Sequence, residues 1–253
     1  MNNPSPMATV HSGAALKVGT ALLRTMELFI SNFGRFLVLA LLPLLPLLYI
    51  AWATWSGSWS EAQRHFTSGV LALLFSPIAN AAILYGAILQ MRGETFTVGR
   101  ALRVIVPRLP AIFGITISVS LAMAIAAIIF ILPAFIVMCI LYVTIPVCVV
   151  EERGVIGSMD RSGVLTRGYR WPIFGLFLIV TIIPMVLSEL IISVFGMMGG
   201  AAISGLFSFA WQVVSTAFDG VLLAVIYHNL RLAKEGVDVI DIASVSAIAN
   251  VFD

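Results

Sequence analysis

Residues 109–150 form an apolar stretch of 42 residues without one charged side chain. As a single helix it would run about 60 Å, twice the ~30 Å hydrocarbon core of a bilayer. A water-soluble fold has no room for such a rod, and a membrane can hold it only folded back on itself. Pro133 supplies the break, because the residue before a proline avoids the α region and proline itself suits the first helical turn. The sequence therefore predicts a tight hairpin at residues 132–133, joining spans at about 110–131 and 133–150.

Four further apolar runs are long enough to cross a bilayer, at about 34–56, 68–90, 172–195 and 206–230. The whole chain is 60% hydrophobic and only 10% charged, against roughly 25% charged in soluble domains. The expected fold class is all-α: a polytopic membrane bundle of six transmembrane helices, forming one domain over residues 13–235. The connections alternate. Segments 55–67, 131–133 and 196–205 are short and nearly uncharged. Segments 91–109 and 151–171 carry Arg92, Arg100, Arg103, Arg108, Arg153, Arg161, Arg167 and Arg170. Lys17, Arg24, Arg35, Arg231 and Lys234 fall on the same side, so that only Arg64 of the 14 basic residues lies opposite. The positive-inside rule then puts both termini in the cytoplasm, and the expected address is the bacterial inner membrane. Residues 1–32 hold Lys17, Arg24 and Glu27 in polar surroundings, unlike the short n-region and h-region of a cleaved signal. Residues 1–12 are expected to be disordered.

The segment 13–32 is not a span. Lys17, Thr20, Arg24, Glu27 and Ser31 recur every three or four residues and form one polar stripe on a helix. Val18, Leu22, Phe29 and Ile30 take the other side. This pattern predicts an amphipathic helix at headgroup level, cationic on its wet face. An internal repeat extends it. Val18-Gly19-Thr20-Ala21-Leu22 precedes Phe33-Gly34, and Val98-Gly99-Arg100-Ala101-Leu102 precedes Phe113-Gly114 at the same spacing. Ile156-Gly157 precedes Phe174-Gly175 at a wider one. The expected unit is an interfacial helix followed by two spans, used three times. Lys17, Arg24, Arg100, Arg103, Arg161, Arg167 and Arg170 are then candidate contacts for anionic lipid headgroups, each worth about 1 kcal/mol. The tail, 236–253, alternates apolar residues with Asp238, Asp241 and Asn250, and is expected to dock on the cytoplasmic surface. Gly114, Ser118, Ala122 and Ala126, and Ala82 with Gly86, stand four apart, a spacing that lets helices approach closely.

Two acids lie well inside the spans, Glu189 and Asp219. An intramembrane acid costs about 2.5–3.5 kcal/mol on insertion scales, which makes each a candidate site. Asp219, about 18 Å from the cytoplasmic end of its helix, shares a face with Ser208, Gln212 and Ser215. That stripe must face protein or water. Two readings stand: a proton- or cation-linked cavity between spans five and six, or a satisfied interhelical hydrogen-bond network. Other chemistry is thinly represented. Cys139 and Cys148 share one apolar run on roughly opposite helix faces, so two buried thiols are expected and no disulfide. His11, His65 and His228 lack ligand spacing, so neither a metal nor a cofactor is expected. Glu151-Glu152 lacks the helical arginine and the histidine-bearing helix of a diglutamate intramembrane protease, and these acids are expected to pair with nearby arginines. Nothing resembles a nucleic-acid module.

From about residue 140 onward the chain resembles a bacterial group of six-span proteins similar to the membrane domain of glycerophosphoryl diester phosphodiesterases. The resemblance rests on Pro146 with Glu151 or Glu152 beyond it, on Arg161-Ser162, Leu165-Thr166, Gly168 and Trp171, and on Tyr227, Leu230-Arg231 and Lys234-Glu235-Gly236. The ending, Val251-Phe252-Asp253, fits as well. The resemblance implies the six-span fold and the membrane address. It does not carry over the activity, because the chain has no room for the catalytic barrel of those enzymes. The expected role is a non-enzymatic membrane scaffold or regulatory module contacting anionic lipid or a membrane-protein partner. The alternative is a small transporter or channel-like protein using Glu189 and Asp219.

Overall fold

The computed structural model describes residues 18–56, 59–129 and 131–236, and every element in them is helical. The expected disordered N-terminus with Lys17 and His11, and nearly all of the tail, lie outside the described residues. Six segments are long and apolar enough to cross a membrane: Phe33–Ile50, Phe66–Met91, Val98–Ile129, Leu132–Glu151, Arg170–Phe195 and Ile203–Glu235. The chain is therefore a multi-pass helical membrane protein.

The first span is interrupted. α2 (Phe33–Leu44) gives way to a 3-10 turn at Leu45–Leu47 before α3 (Leu48–Ser56) resumes. Pro46 sits in the first positions of that turn, where its missing N–H costs least. α4 (Glu61–Met91) starts well before the expected residue 68. Its start is fixed by a capping box: Ser60 accepts from the Gln63 N–H at 3.3 Å, and the Gln63 amide oxygen accepts from the Ser60 N–H at 2.9 Å. Two donors that the helix itself cannot satisfy are thereby met.

The apolar stretch folds back as expected, but earlier. α6 (Leu109–Ile129) and α7 (Ile131–Leu141) pack against each other, so the chain reverses between Ile129 and Ile131. Pro133 is not at the break; it occupies the first turn of α7, a position where its ring and lost N–H are tolerated. α7 ends at Leu141, and α8 (Thr144–Glu151) follows after a two-residue interruption.

The last two spans belong to one helical element, α10 (Arg170–Glu235). A straight helix of this length would be about 100 Å long, with Pro184 and Trp211 some 40 Å apart. Instead the Trp211 indole N–H donates to the Pro184 carbonyl at 3.2 Å, and Phe195 stacks on Phe207. The element is thus a hairpin of two arms, Arg170–Phe195 and Ile203–Glu235. Helical hydrogen bonding persists through the expected loose connection at 196–205. Glycines at 196, 199, 200 and 205 make the bend sterically cheap.

The second arm and α4 form the centre of the bundle, and most side chains of the first arm face outward. Close approach depends on small residues. A Cβ on Gly220 would lie 2.7 Å from Ile83 Cγ2, one on Gly86 2.9 Å from the Phe96 ring, and one on Gly114 2.8 Å from Val155. The Gly86 and Gly114 stripes are therefore filled from within the same chain. Three shorter helices stand at or before the starts of odd-numbered spans: α1 (Val18–Ser31) and α9 (Val155–Thr166) before the first and fifth, and α5 (Val98–Ile105) at the start of the Val98–Ile129 segment. α1 packs across both arms of α10 through Ala21, Thr25 and Phe29. Its Arg24 and Glu27 face outward, and so do Leu23, Met26 and Ile30. The expected two-sided helix is therefore three-sided: a packed face, a polar stripe and an apolar stripe open to the surroundings.

Candidate functional site

The basic segments of the sequence meet at one end of the bundle, where most of their charge is used internally. Glu151, at the end of α8, accepts from Arg161 Nε with both oxygens, at 3.1 and 3.2 Å. It also accepts from the Tyr227 hydroxyl at 3.0 Å and pairs with Arg153 at 2.8 Å. Arg161 reaches on to Glu235. Glu235 in turn accepts from Arg231 Nε at 3.0 Å and Nη2 at 2.9 Å. The side chains of Glu151 and Arg231 are only 10% and 8% exposed. The result is a buried ionic knot joining α8, α9 and the second arm. Burial by itself would pull the Arg161 pKa down; Glu235 and Glu151, by hydrogen bond and charge, outweigh it and push the pKa above its usual value. Arg108 extends the network by donating to the Val149 carbonyl and pairing with Glu152. Glu152 closes α8 in a left-handed conformation, φ 54°.

A second set of contacts seats α9. The last carbonyls of a helix have no partner within it. For α7, Ser162 donates to the Ile140 carbonyl at 2.7 Å and Thr144 to Leu141 at 2.7 Å, while the Thr166 hydroxyl, 3.4 Å from the same Ile140 oxygen, donates to the Ser162 carbonyl at 2.9 Å. α9 is thus the cap of α7. Seven of the residues that carried the sequence resemblance (Glu151, Arg161, Ser162, Thr166, Tyr227, Arg231, Glu235) lie in the knot or in this cap.

The expected headgroup contacts divide accordingly. Arg161 is not available: its side chain is 17% exposed and held between two carboxylates. Arg24, Arg103, Arg167 and Arg170 are exposed and carry no ion pair among the described residues. Arg100 is exposed beside Glu94 at 3.7 Å.

The intramembrane stripe also divides. Asp219 and Ser215 line a cavity of about 460 Å³ between α1 and the two arms, with Leu22, Phe29, Val180 and Trp211 among its other walls. Tyr142, at the α7–α8 interruption, lies within electrostatic reach of Asp219. Glu189 does not join this site: it faces outward from the first arm, away from the cavity lining. Gln212 is exposed and donates to Thr216 at 3.2 Å. The Ser208 and Ser215 hydroxyls are buried without a hydrogen-bond partner among the described residues. The expected four-residue polar face therefore contributes two residues, Ser215 and Asp219, to a mostly apolar cavity. His228 is buried within the last span, and Cys139 and Cys148 are buried free thiols.

The profile of a family described as a domain of unknown function, DUF7847, matches residues 54–230. That region holds the second to fifth spans, most of the sixth, Asp219 and most of the knot, while the α1 wall of the cavity lies outside it. No curated protein and no solved structure matches the chain, and the resemblance to the phosphodiesterase membrane domain goes no further than the residues quoted for it.

Proposed function

The chain belongs to the DUF7847 family, and on that footing we propose that it is a non-enzymatic module of the bacterial inner membrane whose basic end faces the cytoplasm and holds anionic lipid. In this reading α1, α5 and α9 lie in the headgroup region, and both termini are cytoplasmic. The observation that carries it is the division among the arginines. Arg108, Arg153, Arg161 and Arg231 are matched by carboxylates, while Arg24, Arg103, Arg167 and Arg170 point outward and form no ion pair among the described residues. A surplus of exposed cations at one end of a membrane bundle is suited to anionic headgroups, at about 1 kcal/mol each. Replacing Arg24, Arg103 and Arg167 together by Gln should abolish most of the enrichment of phosphatidylglycerol over phosphatidylcholine in lipid co-extracted with the protein in polymer-bounded discs. Equal enrichment in the triple variant and the parent would refute the proposal.

A second reading is favoured by the cavity at Asp219. A carboxylate and a hydroxyl on the wall of a cavity between three helices suit a small transporter or channel-like protein. Reconstituted Asp219→Asn and Glu189→Gln variants separate the two. The lipid-holding module tolerates both with lipid enrichment unchanged. A transporter inserts normally but loses proton or cation flux with Asp219→Asn.

A further inference from the structure

We infer that the groove between α7 and the start of the first arm is a binding site for one anionic glycerophospholipid, with its phosphate at Arg170 and one acyl chain laid along Leu132, Phe135, Ile136 and Phe174. The inference rests on the reading of the basic end as lipid-facing, and gives it a single site and a ligand class. The groove encloses about 460 Å³, within the ~300–1,000 Å³ usual for small-molecule sites.

Its walls are built from two elements. α7 supplies Leu132, Phe135, Ile136 and Cys139, and the arm supplies Arg170, Trp171 and Phe174. Phe135 meets Phe174 edge to face at 5.3 Å, and Phe174 meets Trp171 at 6.2 Å. An aromatic ladder therefore runs from the arm's first turn down to α7. Leu132, Ile136 and Trp171 are strongly exposed, the indole at 82%, so the groove opens sideways, toward lipid rather than into the bundle.

Charge decides which lipid. Arg170 is exposed and has no ion pair among the described residues; it shares the groove wall with Cys139, and no acid lines the groove among the described residues. A guanidinium matches a phosphate with two parallel N–H donors, and a tryptophan beside it suits headgroup depth. The cavity of similar size at Asp219 has the opposite character, since a carboxylate there would repel a phosphate. Gly168, at φ +89°, turns the chain between α9 and the arm and so sets Arg170 beside α7.

The test uses the full chain in detergent, titrated with phosphatidylglycerol or phosphatidylcholine and read by native mass spectrometry. The parent should retain one phosphatidylglycerol in preference to phosphatidylcholine. Arg170→Gln should weaken that retention about tenfold and leave phosphatidylcholine unaffected. Ile136→Trp, which keeps the charge but fills the groove, should weaken both. Arg35→Gln, exposed, outside the groove and not among the lipid-holding arginines, should leave the single lipid bound. Equal small losses from Arg170→Gln and Arg35→Gln would overturn the groove while leaving the broader lipid-holding role intact. No preference for phosphatidylglycerol in the parent would overturn both. A dimer that excludes lipid and dissociates with Ile136→Trp would show that the groove is a protein interface, and would overturn the inference.

Discussion

Arg161→Ala should lower the stability of the protein by about 1.5–3 kcal/mol, the range for hydrogen bonds to charged groups. Arg161 holds two carboxylates at once, Glu151 through Nε and Glu235 through Nη2. Its removal leaves Arg153 and Tyr227 on Glu151, and Arg231 on Glu235. Each acid then keeps an arginine, but the Glu235 oxygen that Arg161 held loses its donor, and Glu151 keeps only the half-exposed Arg153 as counter-charge. Arg161→Met with Glu151→Gln should therefore recover part of the loss, because a neutral amide costs less to bury than a poorly matched carboxylate, while Glu235 stays to match the buried Arg231. Equilibrium unfolding in mixed micelles provides the measurement. A loss below about 1 kcal/mol, the scale of an exposed pair, would mean that the knot is solvated and structurally idle.

Gly220→Ala should cost about 1–3 kcal/mol, the range for forcing one methyl group into a packed core. The new Cβ would stand 2.7 and 2.8 Å from Ile83 Cγ2 and Cβ. Ile83 is fully buried in α4 and has no space to withdraw. The two central helices must therefore separate, and every contact along the pair is strained. The clash is with one side chain, so the effect should be strongly non-additive. Ile83→Ala alone leaves a cavity costing about 2–5 kcal/mol, but together with Gly220→Ala the new methyl partly fills that cavity. The double variant should be more stable than the sum of the single losses by at least 0.5 kcal/mol. Additivity within error would place the methyl group elsewhere.

The spans were legible because a bilayer accepts only helices long enough to cross it, and a run of apolar residues is counted directly from sequence. The reversal within 109–150 was legible for the same reason, but its position was not. Pro133 marks the first turn of the new helix, and the break comes just before that turn. Two local patterns went unused: the Ser60-x-x-Gln63 capping box that starts α4 a turn or two early, and Pro43 with Pro46, which interrupt the first span. The knot was beyond hydropathy altogether. Glu151 and Tyr227 are 76 residues apart, and Arg161 and Glu235 are 74 apart; their pairing depends on the rotation of four helices about their own axes. Periodicity assigned Arg161 to the lipid because every arginine on that side looks alike in a charge count. The difference between a paired and an unpaired arginine appears only once the helices are packed. The same limit applied to Glu189 and Asp219, which share a hairpin but not a face.

The knot also imposes an order on biogenesis. Glu151 and Arg161 leave the ribosome long before Tyr227, Arg231 and Glu235. Until the last span enters the membrane, Arg161 can reach one of its two carboxylates, and Glu151 lacks the tyrosine hydroxyl. A nascent chain stalled before residue 227 thus holds an incomplete ion cluster at the end of the bundle, open to water and to proteases. Insertion of the last span closes it. The sixth span is thus the one that locks the helices made before it, which gives the cell a chemical distinction between a chain that has inserted it and one that has not.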